Sequence, residues 1–281
     1  MQIGIIFGIV SLLGWGFLDY LVAVAVRKHD RINLFFWHTI VVVVLLSIIS
    51  VVTVQDMILS WKILALTIIM GVLGTVGTLG YYRAFQEGKL TLMSALVNAW
   101  PLLTIILAIL FLGDHITRFQ GYLIIALIVG SVLTSIEFHR FKYKGLTAGL
   151  KHVIIPFFAW AFYFMVFDIF TAQIGWMLAI LYTHIFILIS TMIYGRLTKM
   201  DFRFHKSTTR YVLSIAVLEV VAFICYGLGI TYGFTALIAP IIAAVPIVTA
   251  ILARLLLKER IYLNQKAGII IVVACLILLA L

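Results

Sequence analysis

A forty-residue stretch occurs twice in this chain, and that repetition limits the possible folds more than any other feature. The first copy runs from Tyr81 to Gln120 and the second from Tyr226 to Gln265. Laid one on the other without a gap, they pair Tyr81 with Tyr226, Gly88 with Gly233, Pro101 with Pro246, Thr104 with Thr249, Asp114 with Glu259 and Gln120 with Gln265, always 145 residues apart. The register continues upstream, where Gly4 falls on Gly149, Trp15 on Trp160 and Phe17 on Phe162. A period this long means that two halves of the chain share one fold. The join is expected near Lys144–Gly145, giving repeats 1–144 and 145–281.

Each repeat is too apolar to be soluble. The chain is 65% hydrophobic and only 11% charged, against roughly half and a quarter for an ordinary soluble domain. A spanning helix needs about 20 apolar residues. Runs that meet this requirement are 3–26, 33–54, 61–83, 90–112 and 117–137 in the first half, and 146–171, 174–196, 209–233, 234–257 and 263–281 in the second. The N-terminus lacks a basic lead and a small-residue cleavage site, so the first run is expected to stay as a helix.

Five spans per half is an odd number, so the second half must enter the membrane from the opposite side. The predicted fold is an all-α integral membrane protein of ten transmembrane helices, built as two inverted-topology five-helix repeats. Repeats of this kind are a transporter architecture, with the substrate held where the repeats meet. Eighteen of the twenty Lys and Arg fall on one side, leaving only Lys62 and Arg118 on the other. The rich side should be cytoplasmic, which places both termini outside a cell membrane. The net charge of +10 therefore reports orientation, and nucleic acid is not an expected partner. Cys225 and Cys275 sit in apolar runs and form no disulfide framework or metal motif.

The pattern Pro101…Asp114…Gln120, answered by Pro246…Glu259-Arg260…Gln265…Gly268, resembles the EamA-type branch of the drug/metabolite transporter superfamily. The resemblance covers the whole chain. The first copy departs from it at Gly113-Asp114-His115, and in Gly121, two residues earlier in register than its counterpart Gly268. The resemblance implies secondary transport of small metabolites, often export, without fixing one substrate.

Site candidates follow from depth in the membrane. An ionisable side chain costs at least about 2.5–3.5 kcal/mol at a helix centre, so such residues are functional candidates. Glu219 is central in its run, and its mate is Gly74. Gly71, Gly74, Gly77 and Gly80 form a small-residue ribbon suited to close helix approach; the second half reads Ala216, Glu219, Ala222, Cys225. Glu219 is the expected cation or proton site, with the structural alternative of a carboxylate bonded to a neighbouring helix. His184 is at similar depth and suits a proton relay, or simple packing. Asp19 faces either an interior cavity or the solvated end of its helix. Asp168 lies closer to a helix end.

Asn98 adjoins the turn before Pro101, and His38 lies in the same half of the membrane. Pro101 and Pro246 free the carbonyls of Val97 and Ile242 and bend their helices. The mated Trp15 and Trp160 lie mid-helix, where interfacial Trp is not expected, and suggest a cavity wall. Trp61 and Trp176 sit at helix starts, as belt residues do. Trp37 and Tyr81 lie toward the cytoplasm and their mates Tyr182 and Tyr226 toward the outside, as inner and outer gates would. Tyr and Trp around a carboxylate suit an amine through cation–π attraction, so amino acids or organic amines are the expected substrates.

No HExxH, paired intramembrane Asp or Ser/His constellation supports an enzyme, and no nucleotide motif supports direct ATP drive. No cofactor or metal is expected. A small solute and membrane lipid are the expected partners, a homodimer stays open, and a flippase for a lipid or lipid-linked sugar is the alternative function.

Overall fold

In the computed structural model, residues 2–54, 56, 59–88, 90–113, 115–135, 147–256 and 262–280 are described. Asp114, Leu257, Glu259, Arg260 and the join at 144–145 lie outside them, as do the basic residues Lys89, Arg140, Lys142, Lys144 and Lys258. The described chain is helical throughout: α1 Gln2–Val26, α2 Arg31–Thr53, α3 Trp61–Glu87, α4 Leu90–Val97, α5 Trp100–Leu107, α6 Arg118–Ser135, α7 Thr147–Ile174, α8 Trp176–Leu197, α9 Thr209–Tyr232, α10 Thr235–Ile242, α11 Val245–Leu256 and α12 Leu263–Ala280. Among the described residues, seven segments are long and apolar enough to cross a membrane, with α10 and α11 counted together. Their outer faces carry bare apolar side chains such as Val51, Val52 and Leu263, the surface that lipid rather than water favours.

Capping explains where several helices begin. The Asp30 carboxylate accepts from Asn33 N at 2.7 Å and starts α2; Ser60 does the same for Ile63 N and starts α3. At α6, Thr117 and Gln120 form a reciprocal capping box: Gln120 Oε1 accepts from Thr117 N at 2.9 Å, and Thr117 Oγ1 accepts from Gln120 N at 3.2 Å. Gln265 repeats half of it at α12, accepting from Tyr262 N at 2.9 Å. The repeated glutamine is thus a helix-start residue.

The two halves interlock. α1 lies against α9, α10 and α11; its mate α7 lies against α3, α4 and α5. The mated helices α2 and α8 pack on each other, as do α6 and α12. Each of those pairs runs antiparallel. Asn33, at the start of α2, donates to the carbonyls of Asp201 and Arg203 beyond the end of α8, at 2.6 and 3.0 Å. Asn264, at the start of α12, donates to Leu133 O near the end of α6 at 3.0 Å.

Small residues set the closeness of these seams. A Cβ on Gly77 would collide with the Trp160 indole, and one on Gly80 would lie 2.8 Å from Pro156 Cδ. Gly71 and Gly74 admit Phe186 and Ile187 of α8 in the same way. The ribbon on α3 therefore takes two neighbours, α7 and α8.

The expected continuous spans 90–112 and 234–257 are each two helices. α4 stops at Val97 and α5 starts at Trp100; α10 stops at Ile242 and α11 starts at Val245. The two breaks are mated residue for residue. Proline offers no N–H to the carbonyl four residues back and its ring crowds that carbonyl. The chain responds with a turn placed ahead of each proline rather than a smooth bend. Pro101 then sits in the first turn of α5, where its missing N–H costs nothing.

Candidate functional site

The first break turns Asn98 into the interior. Ser94 on α4 and Asn98, four residues on and just past the helix end, both reach Asp19 on α1. Ser94 Oγ and Asn98 Nδ2 donate to Asp19 Oδ2 at 2.8 Å each, and the Tyr81 hydroxyl donates to Oδ1 at 2.8 Å. Ser94 Oγ is also 3.2 Å from Thr249 Oγ1 of the second half. Asp19 is 4% exposed and has no ion pair among the described residues. Three neutral donors therefore hold a buried acid with no cation beside it, and burying such a charge is expensive unless something completes it.

Glu219 has different neighbours. It projects from the middle of α9 between α2 and α8. His38 Nε2 meets its Oε2, and the other His38 nitrogen, Nδ1, lies 3.3 Å from the Tyr82 hydroxyl. From α8, His184 Nε2 lies 3.6 Å from Glu219 Oε1. That is ion-pair distance, too long for a hydrogen bond. His184 Nδ1 donates to Ile180 O at 2.8 Å, and its ring meets the Phe223 ring edge-on at 4.8 Å.

Between the two acids lies a cavity of about 70 Å³ that both of them line. Trp15 and Trp160 both form part of its wall, together with Tyr81, Trp100 and Tyr163. Trp15 packs edge-on to Phe164 and Phe223 at 5.6 and 5.5 Å. Trp100 stacks on Phe164 at 4.1 Å, and Tyr81 packs on Trp160 at 5.2 Å. The Tyr163 hydroxyl is buried with no hydrogen-bond partner among the described residues. The walls come from α1, α2, α3, the turn at Asn98, α5, α7, α8 and α9, so the cavity sits at the seam of the two halves.

Of the residues singled out in the sequence, Trp15, Asp19, Tyr81, Asn98, Trp160 and Glu219 line this cavity. His184 stands behind Glu219. Tyr226 lies one layer further back, packed on Trp15 and Phe164 at 5.6 and 4.9 Å. Tyr182 is buried on α8 away from the wall. Trp37 faces the loop after α8, donating to Phe202 O at 3.2 Å and packing on Phe204. Pro101 and Pro246 shape the breaks without facing the cavity. Asp168 accepts from Thr235 Oγ1 at 2.5 Å at the start of α10, and among the described residues no three His, Cys, Asp or Glu converge as metal ligands.

Sequence reasoning did not connect His38, Ser94, Tyr82 or Tyr163 to the site. One signal for His38 was available: His38-Thr39 on α2 mates with Thr183-His184 on α8, so a histidine flanks the same depth from both halves. Ser94 could not be found that way, because its mate is Ala239.

Comparison with known proteins bears on the same two halves. The model of the EamA-like transporter family matches residues 2–136 and again 147–281. An uncharacterized protein of Methanocaldococcus jannaschii, MJ1333.1, is 30% identical over 139 residues, which are 49% of this chain and 99% of that protein. That relative therefore has the length of a single repeat. A solved structure titled only as the crystal structure of a protein aligns with TM-score 0.79, covering 97% of this chain and 94% of its own, at 13% identity. That likeness is one of fold.

Proposed function

The chain belongs to the EamA-like transporter family, the EamA-type branch of the drug/metabolite transporters, and from that premise we propose that it is a secondary transporter exporting a small cationic metabolite, an amino acid or organic amine. It crosses a cell membrane ten times as two inverted repeats, with both termini outside. It works by alternating access around the central cavity, drawing on an ion gradient through Glu219. The antiparallel packing of α2 on α8 and of α6 on α12 supports repeats inserted in opposite senses. The Lys and Arg asymmetry supports the orientation, and the family resemblance supports export.

One observation carries the substrate class: Asp19 faces an aromatic-walled cavity with three neutral donors and no cation among the described residues. An ammonium group would complete that charge, and Trp15, Trp160 and Tyr81 would hold it by cation–π attraction. The unpartnered Tyr163 hydroxyl would serve a second polar group on the substrate. The gating pairs are Tyr81 with Trp37 and Tyr226 with Tyr182, and size changes at Tyr81 and Tyr226 should trap opposite states.

A thermal-shift screen of the purified protein against amino acids, amines and nucleobases tests this reading. Binding to the native form alone stabilises by about 2.7 kcal/mol at a hundredfold excess over Kd. Amines or amino acids should raise the melting temperature, and a response confined to nucleobases would overturn the cationic assignment. A lipid flippase would need a groove open to the bilayer. A groove of about 510 Å³ does run between α3, α7 and α8, with Arg31 and Arg83 at one end. It shares no lining residue with the central cavity, which favours a small solute.

A further inference from the structure

Building on the reading of the central cavity as the transport site, we propose that the space between His184 Nε2 and Glu219 Oε1 binds a single proton. That proton is exchanged for one singly charged organic cation in the adjoining cavity.

The argument starts from Ile180. A carbonyl oxygen only accepts, so the 2.8 Å contact with His184 Nδ1 requires the hydrogen to be on that nitrogen. In the neutral ring the other nitrogen, Nε2, is then an acceptor. It is buried without a hydrogen-bond partner among the described residues and faces a carboxylate oxygen at 3.6 Å. Two acceptors at that distance repel unless a proton lies between them, on the imidazole or on the carboxyl. The gap is too short for a bridging water, and no group of three His, Cys, Asp or Glu able to hold a metal ion occurs among the described residues. Only a proton fits it.

The second histidine fixes the count. His38 Nε2–H donates to Glu219, and the Tyr82 hydroxyl supplies the hydrogen facing Nδ1. Neutral His38 is therefore satisfied on both nitrogens and calls for no further proton. The remaining titratable groups around Glu219 are Tyr81 and Tyr82 on α3, Tyr163 on α7 and Asp19 on α1. The tyrosines are neutral in either form, and Asp19 takes its hydrogen bonds from Tyr81, Ser94 and Asn98 rather than from Glu219 or its histidines. One proton is thus the capacity of the gap between His184 and Glu219.

Exchange follows from charge. With the proton bound, Glu219 and its histidines are neutral together; when it leaves to water, they carry one negative charge. A singly charged cation in the cavity restores the same total. Both loaded forms then carry equal net charge across the membrane, and the exchange is indifferent to membrane potential.

Infrared difference spectroscopy of the reconstituted full chain, with the proton as the only probe, tests the locus. The Glu219 carboxylate band is assigned by its loss in Glu219→Gln. In the wild type it should shift in one step, and the wild type should take up one proton more than Glu219→Gln over that step. In His184→Gln the amide N–H faces Glu219 permanently, so the band should no longer shift with pH. His38→Gln also offers Glu219 an N–H and should keep the step. An unchanged step in His184→Gln, or a difference of two protons between the wild type and Glu219→Gln, overturns the proposal. If His184→Gln does not fold, that difference decides alone.

A second arm loads proteoliposomes with phenethylamine, a singly charged aromatic amine. Counterflow should survive His184→Gln within about twofold, while uptake driven by a pH gradient should be lost and wild-type exchange should generate no current. Current in the wild type overturns the one-for-one exchange. Absence of counterflow overturns the amine reading of the cavity, and the infrared result still decides the proton site.

Discussion

The two helix breaks have the same backbone and opposite linings. At the first, Asp19, Ser94 and Asn98 join in one hydrogen-bonded cluster. Their mates in sequence are Phe164, Ala239 and Ala243, all buried and apolar; the two alanines lie at the second break, and Phe164 lies on the cavity wall against Trp100. The turn ahead of proline recurs at both places because its cause, a missing N–H, was duplicated with the chain. The polar lining was not duplicated. The comparison teaches that the repeat supplies a bent helix at the seam, and that changing a few side chains on one copy turns a packing element into a binding wall.

The sharpest way to break that comparison is at Asp19. Asp19→Asn keeps the shape and removes the charge. A hydrogen bond to a charged group is worth about 1.5–3 kcal/mol, so affinity for a singly charged amine should fall by about 10- to 150-fold, read by counterflow or thermal shift. Phe164→Leu, at the mated position, removes one ring of the stack with Trp100. It should lower stability by about 0.5–1.5 kcal/mol and leave the requirement for a cation intact. Equal loss of cation selectivity in both variants would erase the distinction between the breaks.

The next contrast exchanges the linings. Ala243→Asn sets a buried amide among apolar neighbours, where an unsatisfied polar group costs about 1–3 kcal/mol. The melting temperature should drop with no new substrate accepted. Asn98→Ala removes a donor from Asp19 and should weaken amine binding about tenfold, with a smaller change in melting. If Ala243→Asn instead gained amine affinity, the second break would be a latent copy of the first.

The sequence made the duplication legible because a fixed offset needs no structure to be seen. It also exposed Glu219, Asp19 and the two tryptophans, since polar or bulky side chains at mid-depth in an apolar run stand out one by one. It did not reveal the partners. Ser94, Tyr82 and Tyr163 are ordinary residues for a membrane helix, and they matter only because the fold brings Tyr82 and Tyr163 to the cavity wall and Ser94 to Asp19. The breaks were read as bends because the pattern marks where a hydrogen bond is lost, not how the chain recovers. Depth alone does not separate the proposed gate residues by environment: Tyr81 is on the cavity wall, whereas Trp37 faces a loop. Depth is one coordinate, and rotation about the helix axis is the other.

The smallest expected effect concerns the seams that hold both breaks in register. At the α1–α9 seam Gly14 faces Ala222; at the mated α7–α3 seam Gly77, the mate of Ala222, faces the Trp160 indole. The glycine has changed sides. A Cβ on Gly14 would sit 3.0 Å from Ala222 Cβ, close enough to force a slight separation of the helices. Overpacking of this kind costs about 1–3 kcal/mol, and Gly14→Ala should fall at the low end because only one methyl opposes it. Ala222→Gly alone should cost about 0.5–1 kcal/mol through backbone freedom in a helix interior. In the double variant a glycine again faces an alanine, so the two losses should not add. Thermal unfolding of the two single variants and the double variant measures this. Strict additivity would mean that the methyl contact does not set the spacing, and that the shared Ser11-to-Ala222 carbonyl bond holds α1 against α9 instead.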